Sequence, residues 1–221
     1  MKSKNTIAVM LKAPVAGHVK TRLVPPLTQE NAAELYKCFI KDIFAKIDKL
    51  KAIDVFAAFI PAGSKEIIKK IIPKKVSLIP QKGIDLGERL ANLFSELFAK
   101  GYKKVVVIGS DSPDMPLEYI KMAFDELKND KIVFGPAEDG GYYLVGMNRF
   151  HKKIFENIQW STDNVLNESL KIARKEGIDA FLLPKWYDID IYSDLQRLIK
   201  NKKEIPNTYD FIKAPFLDTL S

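Results

Sequence analysis

Three pairs of carboxylates and one basic segment carry the chemistry this sequence can support. Asp111 and Asp114 lie in Gly-Ser-Asp-Ser-Pro-Asp-Met-Pro (residues 109–116), Glu138 and Asp139 in Ala-Glu-Asp-Gly-Gly (137–141), and Asp188 and Asp190 in Trp-Tyr-Asp-Ile-Asp (186–190). The basic segment runs from Lys12 through Gly17, His18 and Lys20 to Arg22. Arg22 can grip phosphate oxygens bidentately, Lys20 can add a point charge, and Gly17 lets backbone N–H groups approach an anion. Carboxylates facing such a segment suit a divalent cation bridging phosphates, because Mg²⁺ takes one or two carboxylates and completes its shell with phosphate and water. Taken singly, each acidic pair equally suits an ordinary turn, and the basic segment equally suits a solvated loop. Its spacing is neither G-x-x-x-x-G-K-[ST] nor G-x-G-x-x-G.

The rest of the composition narrows the metal. One cysteine, Cys38, and two histidines, His18 and His151, leave no Cys/His zinc site and no internal disulfide. A metal here must be held by oxygen, which points to Mg²⁺ or Mn²⁺. The formal charge of +7 favours an anionic partner. Most lysines of the set Lys46, Lys49, Lys51, Lys69, Lys70, Lys74 and Lys75 are expected on solvated faces, and no basic stripe interleaved with aromatics argues for nucleic acid.

The elements that must position these groups alternate strand and helix. Thr6–Leu11, Ile53–Ile60, Val76–Ile79, Val105–Ile108, Lys131–Phe134, Tyr142–Val145 and Ile178–Leu183 read as strands. The uninterrupted run Val105-Val106-Val107-Ile108 suits a strand buried on both faces. Thr28 is an N-cap for a helix with the apolar stripe Ala32, Leu35, Phe39, Ile43, Ala45 and Ile47. Ser64 caps a short helix through Ile72, a Gly-containing loop from Gln81 to Leu90 leads into a helix that continues through Leu93 and Phe98 to Gly101, another starts at Pro116 or Leu117, a further one spans about 163–176, and Ser193 caps the last. This order predicts a single-domain α/β/α sandwich with a mixed, mostly parallel twisted sheet over residues 1–221, residues 202–221 being weakly patterned and read as a tail that packs on the domain or as a contact to a partner. Ligands of such sheets bind at the carboxyl ends of the strands, where Asp111 and the basic segment both fall. Trp160 and Trp186 are read as packing residues, Asp114 as a turn or acceptor-side residue, and strand alternation sends only one of Tyr142 and Tyr143 to the crevice.

Five segments, residues 12–23, 81–90, 108–116, 135–146 and 159–162, together resemble the selenodomain-associated transferase family of the nucleotide-diphospho-sugar transferase (GT-A) superfamily, which is similar to the 2-phospholactate guanylyltransferases. The resemblance implies that Asp111 binds metal, that Lys12, Lys20 and Arg22 form the phosphate loop, and that Gln81, Gly83, Asp85, Leu86 and Gly87 line the base and ribose pocket. Asp188 or Asp190 would supply the late metal-binding carboxylate; relatives often read D-x-D-T-P-x-D-L there, and this chain lacks the Thr-Pro. The family label implies glycosyl transfer from a nucleotide-sugar to a small acceptor, with Asp139 activating that acceptor. The alternative is transfer of a nucleoside monophosphate from a triphosphate to a small phosphorylated acceptor, which the Lys20/Arg22 loop favours. A nucleotide-binding regulatory domain without turnover is the third reading. No apolar run spans a bilayer and no cleavable leader is evident, so a cytoplasmic chain is expected, with room for a homo-oligomer.

Overall fold

The computed structural model describes residues 4–213. Seven strands form one sheet: β1 (Asn5–Lys12), β2 (Ile53–Ile60), β3 (Ser77–Pro80), β4 (Lys104–Ile108), β5 (Ile132–Pro136), β6 (Tyr142–Met147) and β7 (Ala180–Leu182). Their order is β3-β2-β1-β4-β6-β5-β7, and only β6 runs antiparallel to its neighbours, β4 and β5. The expected mixed, mostly parallel single-domain α/β fold is therefore observed.

Period-two alternation distributes the strands between two apolar layers. Ile7, Val9, Val106 and Ile108 face one layer with α1 (Gln29–Ile47) and α4 (Leu117–Glu126); Ala8, Val105 and Val107 face the other with α3 (Leu86–Ala99) and α5 (Val165–Lys175). Thr28 caps α1, its hydroxyl accepting from Asn31 N at 3.1 Å. The short α2 (Lys65–Lys69) is not capped by Ser64, whose Oγ donates back to Pro61 O at 2.6 Å, and it stops before Ile72. Ser193 likewise caps nothing: a 3-10 turn (Tyr192–Asp194) leads into α6 (Leu195–Ile199), and the Asp194 carboxylate accepts from the N–H groups of Asp190 and Ile191, both at 2.9 Å.

One correction concerns charge. Lys46, expected on a solvated face, is buried, whereas Ala45, assigned to the apolar stripe, is exposed. Residues 202–213 include α7 (Pro206–Lys213), which docks on α1, the packed alternative for that stretch. There the buried Asp42 accepts from Asn207 N at 3.0 Å, Asn207 Nδ2 at 2.7 Å and Thr208 N at 2.8 Å. The remainder of that stretch, 214–221, lies outside the described residues. Among the described residues no helix is long and apolar enough to cross a membrane.

Candidate active site

A cleft of about 710 Å³ opens at the carboxyl ends of β1, β2 and β4. Lys12, His18, Lys20, Arg22, Gln81, Leu86, Asp111, Asp139, Asp188 and Asp190 all line it. Main-chain bonding explains how the late acids reach Asp111. The chain leaving β7 follows β5, with Leu183 N donating to Phe134 O at 2.8 Å and Trp186 N to Pro136 O at 3.0 Å; it then crosses to β4, where Ile189 N donates to Asp111 O at 2.9 Å. Asp188 and Asp190 thus flank a residue pinned to Asp111 itself.

Lys20 closes the arrangement. Its Nζ lies 2.5 Å from Asp111 Oδ1, 2.5 Å from the Ile189 carbonyl oxygen and 3.6 Å from Asp190 Oδ1. Arg22 Nη1 lies 3.6 Å from Asp190 Oδ2 on a side chain that remains 71% exposed. Beneath them Tyr36 shares a 2.6 Å hydrogen bond with Ser110 Oγ and accepts from Lys12 N at 3.1 Å. Burial, with Asp111 adding to it, holds the Tyr36 phenol above its ordinary range, so it stays neutral.

Among the described residues Asp188 makes no salt bridge, although the Lys20 charge is near enough to favour its ionised form. Its carboxylate accepts from Ser112 Oγ at 2.5 Å, and its pKa is pushed up to about 6, first by burial, then by the charges of Asp111 and Asp139 after partial relief from Ser112. Carboxylates gathered with this deficit of positive charge fit an oxygen-liganded divalent cation. Among the described residues no three carboxylate, imidazole or thiolate groups converge closely enough to hold a metal unaided. Asp111 and Asp188 would therefore be two ligands of an ion completed by phosphate and water, whereas Asp190 faces Lys20 and Arg22.

The residues assigned to a base and ribose pocket divide. Gln81 and Leu86 reach the cleft wall. Both amide hydrogens of Gln81 are committed to main-chain oxygens, Ala58 O at 2.8 Å and Leu11 O at 3.2 Å, which leaves Oε1 as its free acceptor. Gly83, Asp85 and Gly87 do not line the cleft, and neither does Gly17, assigned to the anion-binding basic segment. A Cβ on Gly17 would come within 2.9 Å of Gln29 Oε1, and one on Gly83 within 2.6 Å of Glu88 Cβ. Asp85 caps α3, accepting from Glu88 N at 2.8 Å, and Gly87 packs against Trp160, whose Nε1 would lie 2.4 Å from an added Cβ.

The remaining acids also separate. Asp139 stays on the cleft wall and accepts from Gly141 N at 2.9 Å. Glu138 is held by Arg197 at 2.8 and 2.9 Å. Asp114 is buried, bonded to Tyr187 Oη and, at 2.8 Å, to Asn201 Nδ2, so it fastens the C-terminal segments to the turn after β4. Lys46 grips the same turn through Pro113 O at 2.9 Å and Met115 O at 2.6 Å. Tyr143 directs its hydroxyl to Pro184 O at 2.9 Å, while Tyr142 meets Trp160 edge-on at 6.4 Å between ring centroids.

Several cleft residues carry no simple sequence signal. Arg89 lies in the first turns of α3, and Ser161, Thr162 and Asp163 precede α5. Ser112 and Tyr36 escape notice because hydroxyls have no pattern of their own; only the segments that resemble the transferase family enclose Arg89, Ser112, Ser161 and Thr162.

A family model described as an uncharacterized protein conserved in bacteria (DUF2064) matches residues 43–162. A crystal structure from Desulfovibrio desulfuricans G20, provisionally described as a nucleotide-diphospho-sugar transferase, is 32% identical, covering 96% of this chain and 94% of that one with a TM-score of 0.89. Two more distant structures share the fold. CMP:2-keto-3-deoxy-manno-octonic acid synthetase complexed with CTP gives a TM-score of 0.57 at 9% identity, covering 88% and 96% of the two chains. A cytidylyltransferase from Leptospira borgpetersenii gives 0.55 at 13% identity, covering 96% and 93%. No curated protein matches the sequence.

Proposed function

The chain belongs to the DUF2064 family, and from that premise and the cleft's geometry we propose that it is a nucleotidyltransferase of the nucleotide-dependent transferase fold. An oxygen of a small acceptor attacks the α-phosphorus of a nucleoside triphosphate, the bond to the bridging oxygen breaks, and pyrophosphate leaves. The observation that carries this reading is the seating of the basic loop directly on the strand-end acids, with Lys20 against Asp111 and the exposed Arg22 guanidinium beside Asp190.

Each group then has a task. Arg22 meets the departing phosphates bidentately, and Lys12 and His18 add donors along the same wall. Gln81 offers its free carbonyl oxygen to a donor edge of the base. Asp139 orients the acceptor, and Asp111 with Asp188 would hold Mg²⁺ or Mn²⁺, which neutralises charge developing on the phosphates. Catalysis of this kind rests on positioning and electrostatics, with little covalent work for the protein.

Glycosyl transfer from a nucleotide-sugar is the second reading, favoured by the description of the 32% identical relative. Thermal shift in Mn²⁺ or Mg²⁺ with a panel of triphosphates and nucleotide-sugars separates the two. A triphosphate present well above its Kd adds about 3 kcal/mol or more, and ³¹P NMR then detects pyrophosphate when an acceptor is supplied. Stabilisation by nucleotide-sugars alone overturns nucleotidyl transfer.

A further inference from the structure

The Lys20 ammonium occupies the position a cation would take. Three protein oxygens surround it: Asp111 Oδ1 at 2.5 Å, the Ile189 carbonyl at 2.5 Å and Asp190 Oδ1 at 3.6 Å. The rings of Tyr36 and Phe39 lie 6.0 and 5.6 Å away, and the side chain is 5% exposed against 45% for Asp111. An ammonium has three donors; two are taken by Asp111 Oδ1 and the Ile189 carbonyl, and Asp190, at ion-pair distance, draws the charge towards the same acids, so Lys20 keeps at most one donor for phosphate. The group best placed by sequence to bind the donor's phosphates is engaged with a carboxylate assigned to the metal.

We propose that Lys20 is an exchangeable internal cation. It neutralises Asp111 while no divalent cation is bound, gives up that carboxylate when one arrives, and turns its freed donors to the polyphosphate. The proposal rests on the assignment of Asp111 as a metal ligand in the reading above. Like charges a few ångströms apart repel, more strongly away from bulk water. A monovalent and a divalent cation therefore compete for Asp111 until phosphate supplies compensating negative charge. Metal alone binds weakly, metal and polyphosphate strengthen one another, and the coupling is reciprocal. Asp188, bonded to Ser112 and without a salt bridge among the described residues, is available to the ion as Lys20 withdraws.

Mn²⁺ binding without nucleotide, followed by the loss of the free-ion EPR signal, tests this in wild type, Lys20→Met and Asp111→Asn. Removing the competing ammonium should tighten Mn²⁺ binding about tenfold, and Asp111→Asn should remove it. In wild type, acetylation of Lys20 read by mass spectrometry should rise when Mn²⁺ is added, a measurement that needs no variant to fold. Equal, weaker or absent Mn²⁺ binding in Lys20→Met overturns the proposal. So does Lys20 reactivity that is unchanged or lowered by Mn²⁺, or retained Mn²⁺ binding in Asp111→Asn. None of these readouts involves a nucleotide, so a failure of the triphosphate panel leaves them intact.

Discussion

Lys46 Nζ donates to the Met115 carbonyl at 2.6 Å from a side chain that is 4% exposed. The same ammonium reaches Pro113 O at 2.9 Å, so α1 fastens the turn that carries Asp111 from beneath the sheet. Lys46→Met keeps most of the packed stem and removes both donors. Each unpaired buried carbonyl costs roughly 1–3 kcal/mol, partly offset by relief of a buried charge, so a net loss of about 2 kcal/mol is expected. Urea denaturation measures it; an unchanged midpoint means the turn does not depend on Lys46.

Stability should also respond to pH through this lysine. Burial lowers its pKa from 10.5 to about 8. Above about pH 8 the folded chain has released a proton that the unfolded chain keeps up to about 10.5, so the Lys46 contribution rises with pH across that window. Cys38 acts oppositely above pH 9, because burial raises its pKa from 9.0 to about 11. The difference between wild type and Lys46→Met therefore isolates the effect: from pH 7 to 9 it should grow by about 1 kcal/mol in favour of wild type. Parallel curves would exclude titration of Lys46.

Asp188 gives the reverse sign. Its folded pKa, raised to about 6 chiefly by burial, means that its contribution to stability is complete below about pH 4 and is lost as pH rises through 6. Asp188→Asn keeps an acceptor for Ser112 and carries no charge. The metal-free variant should exceed wild type by roughly 1–2 kcal/mol at pH 7 and match it near pH 4. A variant less stable than wild type at pH 7 would mean that the ionised carboxylate is satisfied within the fold.

How far the sequence discloses this molecule depends on the kind of signal. Alternation in β1 and β4 assigns Ile7, Val9, Val106 and Ile108 to one layer because side-chain direction follows from period two alone. Along α1 residue type misleads where position does not. Lys46 lies three residues beyond Ile43 and seven beyond Phe39, on their face of the helix, and Ala45 does not. The cleft's acids and bases are legible as strand-end residues, but their partners are not. Lys20 reaches Ile189 across 169 positions, and Gln81 turns its donors to Leu11 and Ala58. Such contacts depend on how the segment after β7 crosses to β4, which no local pattern encodes.

Arg22 supplies a test of the cleft that barely touches the fold. Its side chain is 71% exposed and its pairing with Asp190 is long, at 3.6 Å, so Arg22→Ala should leave the melting temperature of the ligand-free protein unchanged. A charge-assisted bond to phosphate is worth roughly 1.5–3 kcal/mol, so triphosphate affinity should fall at least about tenfold. Isothermal titration with the stabilising triphosphate reads this directly, and equal affinity would leave Arg22 as solvated surface.

Gly87 and Gly101 bracket α3 and are glycines for different reasons. An added Cβ on Gly87 would lie 2.4 Å from Trp160 Nε1 and 2.6 Å from Phe155 O, so the constraint is the close approach of the indole to the first turn. Gly101 has φ +91 with nothing within 4 Å of such a Cβ, so its constraint is the backbone alone. Gly87→Ala should cost about 2 kcal/mol by overpacking and shift the Trp160 emission to the red as the ring is displaced. Because Trp160, Leu86 and Arg89 share the cleft wall, donor affinity should fall with it. Gly101→Ala should cost about 1 kcal/mol through strain and leave emission and affinity unchanged. Equal spectra for the two variants would mean that Trp160 yields without leaving its site, so that α3, not the indole, absorbs the extra methyl group.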